Sequence, residues 1–142
     1  MKTFEITNGD LSIGQGGYAM STGSAKLRQD LSIAVREPYG SDRFHPRWGS
    51  LLSTFVGQPI DPFIRMKVVS EVQRVIGNYV SVQKAQISTT SATGRRPTFG
   101  TGEAIGSVQD IQVRQTFDRL NVKVLIRTLS GESVSLISTV GV

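Results

Sequence analysis

Within the segment Tyr39–Leu52, YGSDRFHPRWGSLL, stand the chain's single histidine, its single tryptophan, an aspartate and two serines. Asp42 and His45 lie three residues apart, with Ser41 and Ser50 nearby, so the parts of a hydrolytic triad are present. A triad needs its serine on a sharp turn, within hydrogen-bond reach of an imidazole that a carboxylate orients. No Gly-x-Ser-x-Gly frames either serine, and a lone histidine beside Pro46 reads as a hydrogen-bonding turn residue. Glu37 and Asp42 could be offered as the paired carboxylates of a glycosidase. They fall where a helix end and a turn place ordinary charges, and no catalytic residue is assigned. One histidine and no cysteine leave no set of metal ligands, and neither GQGG nor GTGEAIG has the preceding strand and following helix of a phosphate loop. No metal and no cofactor are expected.

The chain carries sixteen Lys and Arg against eleven Asp and Glu, a formal charge of +5, and eleven of the sixteen cations are arginine. That balance favours acidic partners, and the planar guanidinium suits carboxylate and phosphate alike. Arg95 and Arg96 beside Phe99 could hold a phosphate backbone and stack a base, which makes a small basic nucleic-acid-binding module the alternative reading. The absence of cysteine excludes disulfides and thiolate chemistry. No apolar run approaches a spanning helix and MKTFEITNGD lacks the apolar core of a signal peptide, so a soluble, uncleaved chain with no membrane partner is expected.

The elements that would position these residues follow from periodicity. At 142 residues a single domain is the default, 1–142. TFEITNGDLSI alternates about Asn8-Gly9, which suits a small hairpin within an N-terminal arm, 1–23, and GQGGYAMSTGS reads as a flexible connection. Leu27, Leu31, Ala34 and Val35 share one face of a helix over about 24–37, with Thr22 or Ser24 as its cap and Pro38 as its stop. SLLSTFV suggests a second helix at about 48–56. Asp61-Pro62 opens a third, about 62–77, on Ile64, Val68, Val72, Val75 and Ile76, with Gly77-Asn78 as its end.

Beyond that point the apolar spacing changes to two. Val80, Val82 and Ile87, then SVQDIQVRQTFD with a break in its alternation, then LNVKVLIRTL and SVSLISTV, predict an antiparallel sheet over about 80–140 whose last three strands form a meander. A long loop, 89–106, joins its first two strands. The class is α+β, helices first and sheet second.

KLRQDLSIAVREPYGSDRFHPRWGSLL resembles the baseplate wedge family of contractile-tailed bacteriophages, which includes sheath initiators and a related component of type VI secretion systems. Gln29, Asp30, Leu31, Gly40, Phe44, Pro46, Gly49 and Leu52 carry the likeness. Many members have Glu-Pro-Arg after the long helix, where this chain has Gly77, Asn78 and Tyr79. The resemblance implies a structural virion protein with no enzymatic activity, assembled in the host cytoplasm into a sixfold tail baseplate. Its implied partners are the tail sheath protein, neighbouring wedge proteins, and tube or hub proteins, with no direct nucleic acid contact.

A sheath initiator must offer an open sheet edge to the first sheath ring, and an edge strand can be extended by backbone hydrogen bonding. The expected edge is the last strand, Ser133, Val134, Ser135, Leu136, Ile137, Ser138, Thr139 and Val140, which holds neither charge nor proline. Gly40, Phe44, His45, Pro46, Trp48 and Gly49 are then a structural corner, with Phe44 and Trp48 filling the space between two helices. Arg43 and Arg47 on the corner, with Arg95 and Arg96 on the loop, are expected to contact wedge or sheath carboxylates.

Overall fold

The computed structural model describes residues 2–96 and 98–141. A ribbon of short strands comes first. β1 (Thr3–Phe4) pairs with β6 (Met20–Ser21), β2 (Ile6–Thr7) with β3 (Asp10–Leu11), and β4 (Ile13–Gly14) with β5 (Gly17–Tyr18), all antiparallel. Asn8 and Gly9 both have positive φ, 55° and 86°, as the tight hairpin turn requires. The GQGG stretch is therefore a hairpin and not a loose connection: Ile13 faces Tyr18 across it, and Phe4 packs edge-on against Tyr18 with ring centroids 5.7 Å apart.

α1 spans Gly23–Arg36 and buries Leu27, Leu31, Ala34 and Val35. Thr22 occupies the cap position without a side-chain bond. The orphan amide of Gly23 donates instead to Glu103 Oε1 at 2.9 Å, a partner eighty residues away that local capping rules do not see. The expected second helix shrinks to a 3-10 turn, Leu52–Phe55, in which only Leu52 is fully buried, and Gly57 at φ 82° turns the chain away.

α2 opens as its sequence dictates, with Asp61 Oδ1 accepting from the Ile64 amide at 2.7 Å and Pro62 in the first turn. It does not stop at Gly77. It runs Pro62–Ala92, so the strand expected over 80–87 is helix. Gly77 costs about 1 kcal/mol inside a helix. The turns beyond it are held by tertiary partners: Tyr79 Oη donates to Asp30 Oδ2 at 2.8 Å, and the buried Gln83 bonds the chain at Glu103 and Ile105. The loop shortens with it, because Thr89–Ala92 are helical and Ile105 already belongs to the next strand.

The sheet that remains has three strands, β7 (Ile105–Thr116), β8 (Arg119–Thr128) and β9 (Ser133–Gly141), in the order β7-β8-β9. The predicted meander is present, and the break in alternation is a pair of register shifts, Ile105/Ser107 and Val108/Asp110. Phe117 and Asp118 make the first turn and Ser130-Gly131 the second. One sheet face, Leu120, Val122, Val124, Ile126, Leu136 and Val140, closes on Leu27, Leu31, Val35, Val68, Val72 and Ile76 of the helices. Each such burial is worth roughly 1.5–3 kcal/mol, so this one layer of helix on sheet drives the fold.

Candidate interaction surfaces: the corner and the two sheet edges

The corner is built from the main chain upward. Ser50 N–H donates to the Glu37 carbonyl at 2.7 Å, Tyr39 N–H to Ser50 at 2.9 Å and Gly40 N–H to Trp48 at 3.0 Å, which closes the loop on itself. Gly49, at φ 89°, passes so close to its opposite strand that a Cβ there would lie 2.4 Å from the Pro38 carbonyl oxygen. Only glycine fits. From α2, Arg74 donates to the Gly49 carbonyl at 2.9 Å and lies over the Tyr39 ring, while Glu71 pairs with Arg74 and accepts from the Leu51 amide at 2.8 Å. The Arg74 hydrogen bond, helped by the Leu51 amide against the effect of burial, holds the Glu71 carboxyl below its ordinary range. Neither Glu71 nor Arg74 was singled out by sequence; their three-residue spacing on a helix was the available signal.

The triad parts do not assemble. His45 Nδ1 lies 2.8 Å from Asp42 Oδ2, and that bond, followed by the Phe44 amide, keeps the Asp42 carboxyl below its usual value. Ser50 Oγ donates to the Val35 carbonyl at 2.5 Å and Ser41 Oγ to Glu37 at 3.1 Å. Both hydroxyl protons are committed away from the imidazole. Trp48 is half-buried and lines a small cavity with Ala34 of α1 and with Val75 and Tyr79 of α2, not with the expected 48–56 helix, while Phe44 is 87% exposed and fills nothing. The Asp42–Phe44 turn aims it outward. Arg43, Arg47 and Pro46 are exposed there too.

Residues that carried the family likeness have physical tasks here. The Gln29 amide acts as a substitute strand for the N-terminal ribbon, accepting from Ile6 N–H at 3.0 Å and donating to the Phe4 carbonyl at 2.8 Å. Asp30 pairs with the nearly buried Lys26 and accepts from Tyr79, whose phenol is pushed far above its usual value, first by burial and then by the Asp30 charge. Leu31 and Leu52 are fully buried. Gly77, Asn78 and Tyr79, expected at the end of the helix, are mid-helix, and Tyr79 is held there by Asp30.

On the loop after α2, Arg95 and Arg96 are exposed, and the half-buried Phe99 lines a small cavity with Tyr79, Val82 and Gln83. Pro97 lies outside the described residues.

The two outer strands of the sheet differ. β7 is shifted in register twice, carries Gln109, Asp110, Gln112 and Arg114 outward, and is clasped at its end by Gln115, which donates to the Gln58 carbonyl at 2.7 Å and accepts from the Ile60 amide at 3.2 Å. β9 is regular through nine paired residues, with Val134, Leu136, Ser138 and Val140 inward and Ser133, Ser135, Ile137 and Thr139 outward. Ile137 is 68% exposed. Among the described residues, β9 bonds only to β8, through the ladder and through the Thr139 hydroxyl on Asn121 at 2.8 Å. Its far row of amides and carbonyls has no backbone partner among the described residues. A groove of about 780 Å³ runs beside it, lined by Arg28, Ser32, Ile33 and Arg36 of α1, by Ile137, and by the ribbon at Glu5–Ile6 and Asn8–Gly9.

Among the described residues, no group of three His, Cys, Asp or Glu could hold a metal ion, and no helix is long and apolar enough to cross a membrane. Compared with known proteins, the chain matches no family model, no curated protein and no solved structure.

Proposed function

We propose that this chain is a structural component of a contractile-tail baseplate, a sheath initiator whose β9 edge receives an extended arm from the first ring of sheath subunits. The observation that carries the reading is the contrast within one sheet. The β7 edge has the bulges, charges and covering segment that keep an edge from pairing, whereas β9 has a straight register, no charge and no proline. An arm laid against β9 would complete its free backbone row, with alternate side chains setting register. The exposed Arg43, Arg47, Arg95 and Arg96 are then assigned to carboxylates of wedge, tube or hub neighbours, in a sixfold particle assembled in the host cytoplasm.

The experiment mixes the protein with sheath subunits and follows ordered polymer by electron microscopy. Removing the last strand would be a poor variant, since Val134, Leu136 and Val140 belong to the core. Two outward substitutions, Ser135→Glu and Ile137→Glu, leave that core in place and put charge on the edge. We expect the wild type to nucleate polymer and the double variant to fail while staying folded. Equal nucleation by both would overturn the proposal.

A further inference from the structure

The open edge of β9 is bordered by cations on both sides. Toward the helices, Arg28 and Arg36 are exposed, stand two turns apart on α1 and line the groove, where Glu5 is the one lining carboxylate among the described residues. Toward the outer face of the sheet, Lys123 and Arg127 of β8 point outward beside β9 residues Ile137 and Ser133, their partners in register. Among the described residues, none of these four cations is taken up by an ion pair. The short Ser133 side chain leaves room for the Arg127 guanidinium to lean across β9 toward a strand added one spacing, about 4.8 Å, further out.

Successive side chains of an added strand point to opposite faces. One set would meet the α1 flank and the other the outer face of the sheet, so both sets would face positive charge, with Ile33 and Ile137 as the apolar contacts. We propose that the segment received at β9 is acidic: an extended peptide stretch whose carboxylates pair with Arg28 and Arg36 on one side and with Lys123 and Arg127 on the other. The inference rests on the reading of β9 as a receiving edge and adds the chemistry of what it receives.

A nucleic acid is the rival anion, and two observations speak for peptide. The outer face beside β9 presents Leu125 and Ile137 where a single strand needs aromatic rings to stack its bases. An open row of alternating backbone donors and acceptors is matched by another backbone, whereas phosphates accept only.

The test uses the full chain and three labelled peptides of strand length in which pairs of adjacent Glu, Gln or Lys are separated by single Val residues, so that both faces of the strand carry the test side chain, together with a labelled oligothymidylate. Binding is followed by fluorescence anisotropy at low and high salt, and β9 amide exchange is read with each ligand. The Glu peptide should bind about tenfold more tightly than the Gln peptide, the equivalent of a few exposed ion pairs, and the Lys peptide should bind least. Its advantage should shrink with salt, and it should slow exchange of amides within Ser133–Gly141. The variant Arg28→Gln with Arg36→Gln should lower Glu-peptide affinity several-fold and leave the Gln peptide unchanged. If Glu and Gln peptides bind equally and both protect β9, the acidic preference is overturned and the receiving edge stands. Preference for the oligothymidylate, no peptide binding, or Glu-peptide binding without β9 protection also overturns it; the sheath experiment then decides the edge separately.

Discussion

β7 and β9 are the two outer strands of one sheet, made of the same backbone and paired to the same central strand, yet only one is guarded. In β7 the guard is written into register and side chains: two shifts break the straight row of hydrogen-bonding groups, Asp110 and Arg114 add charge, and Gln115 draws the Gln58–Ile60 segment over the end. β9 has an unbroken register and serines where β7 has charges. The lesson is that an exposed edge is a choice made strand by strand, and that the informative strand is the one left unprotected while its sister is not.

The comparison can be broken in graded ways. The largest effect concerns whether β9 is an integral strand or a detachable arm. Leu136→Ala should cost about 2–5 kcal/mol in urea unfolding, because its side chain is fully buried, whereas Gln112→Ala on β7 should stay within about 0.5 kcal/mol. A near-zero cost at Leu136 would make β9 dispensable to the fold. Next, deleting Gln109 to remove a register shift, together with Asp110→Ser, should turn β7 into a second open edge. Sedimentation velocity should then show more self-association than the wild type does; no increase would mean that the Gln115 clasp alone protects the strand.

A smaller effect falls on the inner side of β9. Ser138 Oγ is buried and, among the described residues, has no hydrogen-bond partner. Ser138→Ala should therefore raise stability by about 1 kcal/mol without changing the edge. The smallest effect separates the corner from the sheet. The folded value of Glu71 lies below its ordinary 4.5, so its contribution is complete above that value and is lost as the pH falls through the folded one. Amide exchange at Gly49–Leu51 should accelerate in that acid range, and exchange within β9 should not. Equal acceleration in both would mean that the corner and the sheet open together.

Much of this architecture was legible because it is local. Asn8-Gly9, Asp61-Pro62, the α1 stripe and the alternation of the last three strands each carry their own signal within a few residues. What escaped is long-range. Gly77 reads as a stop until Tyr79 and Gln83 find Asp30, Glu103 and Ile105, and the cap of α1 comes from Glu103 on a distant loop. The 48–56 segment is apolar but too short, and its backbone is taken by the corner. At the candidate site, the missing charges of β9 could be read directly, but the flanking cations could not, since Arg28 and Arg127 are brought to the two sides of β9 only by the packing of α1 on the sheet. Phe117 escaped as well: at φ 49° and 92% exposed it forms the tip of the β7–β8 turn, where alternation had placed it in a strand.

The uninterrupted passage of α2 through Gly77 has a mechanical side. A helix of 31 residues is a rod about 46 Å long. It grips the corner through Arg74 and the start of the sheet through Gln83, little more than two turns further along. One unbroken helix therefore carries both attachments, so the corner and the start of the sheet share a single support.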